Sequence, residues 1–446
     1  MRLLVGCAVV VCTLVASVAA ADTVVDIEVD GNSKTTDETV ILIARLDPGD
    51  EWNPDVADRV RTELVSSGLF KQVEVWWDPV PGGVRVHITA KDKHSWVIAP
   101  TFYNQPTNKG GGIGFGENNL FGENEKLLLY AQVATGDSFF VAAYVDPSIA
   151  GTRLRWQYDA FLKTGRVIEY ASPAAYLDDP RPLRVSRLNY LNQGLRLGLS
   201  LWKGLSLDGR LRGAWVSYSR VELAEGATLA DVTGDPMATE LPAPGKEGWD
   251  VSTEVLLGLD TRANWYGLSS GDRIQVSYER ALPGLGSDFD YSHLEVRLEH
   301  ASRYLLRHNL VVKAAFGLGH HLPFQQEFLV GGTAMRGWKN AQFHGDLRAT
   351  FNAEYSIPLF TISGLAFRAL TFWDSAYTTF VDRADPSVRN YLPDPDVRGT
   401  APFKNSVGVG TRLFMRQIVL PLLGLDFGYG LERRDFEVYL AIGLTD

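Results

Sequence analysis

Arg336 is the residue whose setting most invites a chemical reading. It lies in "GGTAMRGW", Gly331 to Trp338, with Met335 before it and Gly337 and Trp338 after it. A loop tip in water has little use for a guanidinium collared by apolar side chains. The planar fork of an arginine suits a carboxylate met with two parallel bonds, and Gly337 lets the backbone turn tightly beside it. Three other stretches could hold chemistry. "GLSSG", Gly267 to Gly271, matches a nucleophile elbow, but that device needs a strand–turn–helix and "DRIQVSYE" follows instead. Ser269 is therefore not read as a nucleophile. "GGGIGFG" has neither the spacing of a phosphate loop nor a lysine for a nucleotide, and it reads as a flexible hairpin. His320 and His321 have no neighbour in sequence at metal-ligand spacing and read as an exposed loop pair. No catalytic residue, metal or cofactor is expected, and the chain does not read as an enzyme.

The elements that would position Arg336 have a period of two. "DRIQVSYER" sets Ile274, Val276 and Tyr278 against Arg273, Gln275, Ser277 and Glu279. "SHLEVRLEH", "LRATFNAEYSI" and "RDFEVYLAIG" alternate in the same way. From Ser95 onward such segments begin near Trp96, Gly111, Glu125, Phe139, Thr152, Arg187, Leu205, Asp250, Asp272, Ser292, Asn309, Leu347, Leu365, Asn405, Leu423 and Asp435. An expected length of about nine to eleven residues suits a tilted strand crossing a bilayer. Long connections follow the odd-numbered strands, at 163–186, 223–247, 319–345 and 377–403. Those after even-numbered strands are mostly short, such as 147–151 and 358–364. Short turns on one side, long loops on the other and an even strand count are the pattern of a membrane barrel, which closes because no open sheet edge survives in hydrocarbon. The fold class expected is mostly β, with a 16-stranded antiparallel transmembrane barrel over 95–446.

Ahead of the barrel lie two other segments. "MRLLVGCAVVVCTLVASVAAADT" reads as a secretory signal peptide, 1–20, cut after Ala20 or Ala21. It holds both cysteines, Cys7 and Cys12, so the mature chain would have neither a disulfide nor a thiolate site. Acidic residues outnumber basic ones, 53 to 43, which argues against nucleic acid as a partner. Residues 22–92 read as a small β-α-α-β-β domain. In "NPDVADRVRTELVSSG", Asn53 suits the N-cap, Pro54 the first helical position and Gly68 the C-terminal cap. Val56, Val60 and Leu64 give one apolar stripe. "KQVEVWW" points Val73, Val75 and Trp77 one way, and "VRVHITA" does so with Val84, Val86, Ile88 and Ala90.

With "DGN", "PGD" and "SSGLFKQVEV", this small domain resembles a POTRA domain, the periplasmic module of outer-membrane assembly proteins. The barrel resembles the BamA/TamA superfamily of outer-membrane insertases and translocases. "NNLFGENEKLLLYAQ", "YVDPSIAGTRLRWQYDAF", "LDTRANWYGLSSGDRIQVSYE", "TFWDSA" and "NSVGVGTRLFM" carry the likeness. Its most specific segment is "FLVGGTAMRGWKNAQFHGDLRATFNAEYSIPLF". There the family has an [V/I/L]-R-G-[F/Y] motif in its sixth loop, and Met335, Arg336, Gly337 and Trp338 stand at those positions.

The resemblance implies that the sixth loop folds back into the barrel and that Arg336 pairs with Asp374 on the thirteenth strand. Ala376 stands where the family has glycine, a departure that bears on close packing there. It also implies an insertase or translocase in the outer membrane of a Gram-negative-type bacterium, with the POTRA domain in the periplasm. The implied mechanism is strand templating at a lateral gate between the first strand, Trp96 to Tyr103, and the last, Asp435 to Leu444. A client strand would add to that edge. Family barrels end on an aromatic recognition residue; this chain ends "AIGLTD", which leaves Phe436 and Tyr439 for that role. The POTRA edge with Val73 and Val75 would receive the chain. Partners implied are the outer-membrane bilayer, unfolded outer-membrane or secreted clients, and periplasmic chaperones or accessory proteins. Two alternatives stand beside this reading. One is a secretion pore for a dedicated polypeptide, whose relatives carry two POTRA domains and a plug helix. The other is a structural or diffusion barrel.

Overall fold

A computed structural model describes residues 22–171, 181–202, 204–265, 268–305, 307–362, 365–393, 403–415 and 421–442. The expected signal peptide and Leu444 lie outside the described residues. The chain divides into two compact units, 1–95 with 121–123, and 96–120 with 124–446.

The first unit is built on the apolar stripes of its sequence. Strand Asp22–Asp30 leads to helix Asp37–Ala44, the short strand Glu51–Trp52, helix Pro54–Ser66, and strands Phe70–Val80 and Gly83–Asp92. Asn53 caps the second helix by accepting from the Val56 N–H at 3.0 Å, and Gly68 follows the helix in a left-handed conformation. Asp22–Asp30 runs parallel to Gly83–Asp92, and Phe70–Val80 lies antiparallel at one sheet edge. The pairing of Glu51–Trp52 at the other edge was not legible in the sequence. Val60, Leu64, Val84, Val86, Ile88 and Ala90 are all buried in one core with Val75, and Val73 packs partly against it. Asp92 closes the unit by accepting the Ser33 and Lys34 N–H groups at 2.6 Å each. Burial raises its carboxyl, and these bonds with the Thr35 hydroxyl outweigh that and hold it below the ordinary carboxylate range.

The second unit is a closed barrel of sixteen antiparallel strands. In order they are Trp96–Gln105, Asn108–Leu120, Glu125–Ala134, Asp137–Asp146, Leu154–Tyr170, Pro182–Trp202, Leu205–Leu223, Gly248–Asp260 continued by Ala263–Trp265, Leu268–Ala281, Ser292–Tyr304, His308–His320, Leu347–Ile362, Leu365–Thr379, Lys404–Met415, Pro421–Gly430 and Asp435–Ile442. No described helix is long and apolar enough to cross a membrane. Alternation along the strands puts Ile274, Val276 and Tyr278 outward and exposed, with Ser277 and Glu279 inward and buried.

Two expectations are corrected. The fifth, sixth and seventh strands run 17, 21 and 19 residues, well beyond the span of a bilayer. The expected loop 163–186 is therefore strand up to Tyr170 and again from Pro182. These extensions pack Glu169, Arg184 and Ser186 against other chain segments, so they lack the one-sided apolar face that marks a lipid-facing strand. "GGGIGFG" is not a flexible hairpin but part of the second strand. A Cβ on Gly112 would lie 2.5 Å from the Ala131 carbonyl and 2.9 Å from the Tyr130 hydroxyl, so glycine there answers close packing.

Candidate functional site

The connection between the eleventh and twelfth strands folds inward. Its base is a two-stranded ribbon, Phe328–Val330 with Phe343–Gly345, and its tip carries Met335 to Trp338. Arg336 meets Asp374 with both arms of its fork, Nε to Oδ2 at 2.9 Å and Nη2 to Oδ1 at 2.9 Å. The Arg336 backbone N–H donates to the same carboxylate at 3.1 Å. Asp374 is wholly buried. The third nitrogen, Nη1, reaches Glu354 at 3.1 Å and Asp426 at 3.4 Å. Asp426 is itself held by Arg412 at 2.6 and 2.8 Å. The guanidinium carbon sits 3.4 Å from the centre of the Phe372 ring. One loop residue thus bonds to the twelfth, thirteenth and fifteenth strands.

The residues around Arg336 explain why the tip can come so close. Gly337 has φ +92°, and a Cβ on Gly428 of the fifteenth strand would lie 2.5 Å from the Gly337 nitrogen. Met335 and Trp338 are buried with Val330, Phe343 and Ala376. The Ala376 methyl is accommodated inside that cluster.

The tip also touches both strands at the barrel's closing seam. The Tyr439 hydroxyl, on the last strand, accepts from the Gly337 N–H at 3.0 Å and donates to the Trp338 carbonyl at 2.6 Å. Asn340 donates to Gln105, at the end of the first strand, at 2.7 Å. Between these strands the described pairs are Phe102 with Ile442, Tyr103 with Ala441, and Asn104 with Leu440. The first strand pairs over ten positions with the second, from Trp96 to Gln105. The four gate candidates divide between faces. Trp96 and Phe436 point outward and are exposed, while Tyr103 lies on the inward face and Tyr439 is buried. Phe436 and Tyr439 are three residues apart on a strand, so one outward surface cannot present both. Val73 and Val75 lie on the edge strand of the first unit, with their side chains turned into its core rather than outward.

A second polar centre covers the long-loop end of the barrel, and no motif pointed to it. Arg184 binds Glu169 at 2.6 and 2.9 Å, and Arg389 binds Glu327 at 2.7 Å and Glu169 at 3.2 Å. His344 contacts Glu327 at 3.0 Å. Arg184 and Arg389 also donate to the Pro242, Pro244 and Asn390 carbonyls. Every charge in this group is buried, and the bonds tie residues of 224–247, 321–346 and 380–393 together. Burial raises the Glu327 carboxyl; Arg389 and His344 outweigh it and hold it below the ordinary carboxylate range. Within the barrel wall, Arg212 gathers Asp250 at 3.0 Å, Glu279 at 2.8 Å and the Tyr291 hydroxyl at 2.6 Å. Ser269, set aside in the sequence, bonds Asn309 through its N–H at 2.9 Å and has no described catalytic partner.

Comparison with known proteins agrees with this architecture. Residues 119–437 match the model of the Omp85 superfamily domain. BamA from Haemophilus ducreyi lacking POTRA domains 1–3 is similar with a TM-score of 0.61 at 14% identity, over 95% of this chain and 84% of that one. CdiB from Escherichia coli gives 0.62 at 13% identity, over 95% and 77%. CdiB from Acinetobacter baumannii gives 0.59 at 14%, over 95% and 74%. A search of curated proteins returned no match. Identities this low speak for the fold alone. The match over 119–437 settles the family: the chain belongs to the Omp85 superfamily of outer-membrane β-barrels, which serve protein insertion or transport.

Proposed function

We propose that the protein inserts other barrel proteins into the outer membrane by templating their strands at the seam between its first and last strands. The observation that carries this reading is the sixth-loop tip, which bonds the first strand at Gln105 and the last at Tyr439, the two strands that pair through Phe102–Asn104 and Leu440–Ile442 among the described residues. A client strand would take over the bonds between these two strands and then be extended along their edge. In this reading the sixth loop is a latch, because its tip bonds Gln105 on one side of the seam and Tyr439 on the other. The long connections face outside the cell and the first unit lies in the periplasm, where its Phe70–Val80 edge receives clients. The buried ion pairs over the long-loop end favour exit through the seam over passage of a dedicated polypeptide through the lumen.

A covalent lock tests this. Tyr103 and Ala441 are register partners, so Tyr103→Cys with Ala441→Cys lies within disulfide reach. The oxidised double variant should lose client insertion by at least an order of magnitude, and reduction should restore it. A locked barrel as active as its reduced form would refute the seam mechanism. Depletion of the protein, followed by an outer-membrane inventory, separates the readings. Broad loss of barrels fits an insertase, and loss of one secreted protein fits a dedicated pore.

A further inference from the structure

His320 ends the eleventh strand, His321 follows it, and Asp382 comes from the connection after the thirteenth strand. Their donor atoms lie within 4.8 Å of one another. The His320 Nδ1 contacts Asp382 Oδ2, and the His321 Nε2 lies 3.6 Å from Asp382 Oδ1. We propose that these three side chains form a site for a divalent transition cation, zinc first among them.

Three features support a ligand set rather than a chance meeting. The donors are two imidazoles and one carboxylate, which suits zinc, copper or nickel and not the all-oxygen preference of calcium or magnesium. A zinc ion with bonds of about 2.0–2.2 Å holds its tetrahedral ligands roughly 3.3–3.6 Å apart. Half-exposed side chains reach that spacing by small rotations, with water completing the shell. The second feature is the backbone. His321 has φ +51°, a left-handed conformation that is uncommon without glycine, and it stacks the two imidazoles with centres 3.9 Å apart. A helical or extended residue there would send the second ring elsewhere. The third feature is support behind the carboxylate. Asp346 accepts the Val381 and Asp382 N–H groups at 2.7 Å each, and the His321 N–H donates to the Asp382 carbonyl at 3.3 Å. Outer-shell bonds of this kind fix a ligand's position. The bound ion would clamp the base of the inward-folding loop to the neighbouring connection, at the same end of the barrel as the Arg389 cluster.

The test is titration of the full, tag-free chain in detergent micelles with zinc chloride, followed by calorimetry. One saturable zinc site per chain is expected, with no comparable heat from magnesium or calcium. Asp382→Asn and His320→Gln should each weaken it at least about tenfold, since loss of even an outer-shell partner costs about 10–100-fold. Heat-modifiable migration on gels reports whether each variant is folded. A second measurement needs no variant: zinc should shield His320 and His321 from carbethoxylation, read by mass spectrometry. The proposal is overturned by absence of a saturable heat, by equal zinc affinity in the folded variants, or by histidines that zinc leaves unprotected.

Discussion

The two units of this chain differ in the charged side chains they bury. In the small unit, Val60, Leu64, Val86 and Ile88 are sealed from solvent. In the barrel, the sealed residues include Asp250, Asp374, Arg184 and Arg389, while Leu197, Ile113 and Val409 are more than half exposed. Which face is wet separates the two. The small unit meets water outside and must hide its apolar stripes. The barrel presents its apolar face to lipid, which is as apolar as leucine, so its interior is free to be polar provided each buried charge is paired. Cohesion in the first case is non-directional and tolerant of shape, and in the second it is directional and intolerant of a missing partner.

The strongest test of that difference removes one charge. Arg336→Ala leaves Asp374 buried beside Glu354 and Asp426, and Asp374→Ala leaves the guanidinium short of its two-armed partner. Breaking such a pair costs about 3–5 kcal/mol. Each variant should lower the heat-modifiability midpoint and client insertion while the barrel still forms. The double variant should cost less than the sum of the two, and strict additivity would mean that the residues act independently.

A smaller effect should follow from placing a charge on either face of one strand. Val276→Arg turns a guanidinium outward on the ninth strand and should cost about 2–4 kcal/mol if it lies near the bilayer midplane. Gln275→Arg, one residue away and inward, should cost much less. Urea unfolding in lipid vesicles measures both. Equal costs would remove the distinction between the faces.

The same physics explains what was legible in the sequence. All sixteen strands were found to within a few residues at their starts, because a lipid-facing strand shows apolar residues at every second position. The extensions 163–170 and 182–186 were missed because other segments pack on them, as the bonds from Arg184 to the Pro242 and Asn390 carbonyls show, so they lack the alternation of the strands around them. Arg336 was legible through its motif, and Asp374 through the resemblance. Glu354 and Asp426 were not, since each is one of many polar residues on inward faces and only the folded loop selects them, and Tyr439 was legible as a gate residue but not as a partner of the loop tip. Asp382 was hidden for another reason: it lies 61 positions beyond His321, in a different connection.

The finest test concerns the latch rather than the core. Tyr439→Phe keeps the buried ring and removes only the hydroxyl that bonds Gly337 and Trp338. The Gly337 N–H then loses its partner in a buried place, which costs about 1–3 kcal/mol at most and less if water enters. Asn340→Ala removes the matching bond to Gln105 on the other side of the seam, where the donor is only part-buried, and should cost about 0.5–1.5 kcal/mol. Neither change touches the Arg336–Asp374 pair, so global stability should fall less than with Arg336→Ala. The seam should nevertheless open more often, because its described pairs are then held with two latch bonds fewer in Tyr439→Phe and one fewer in Asn340→Ala. Amide exchange at Phe102, Tyr103 and Leu440 should speed up in both variants, while exchange in the fifth to seventh strands stays as it was. Unchanged exchange at the seam would mean that the loop tip merely rests against these strands and does not restrain them.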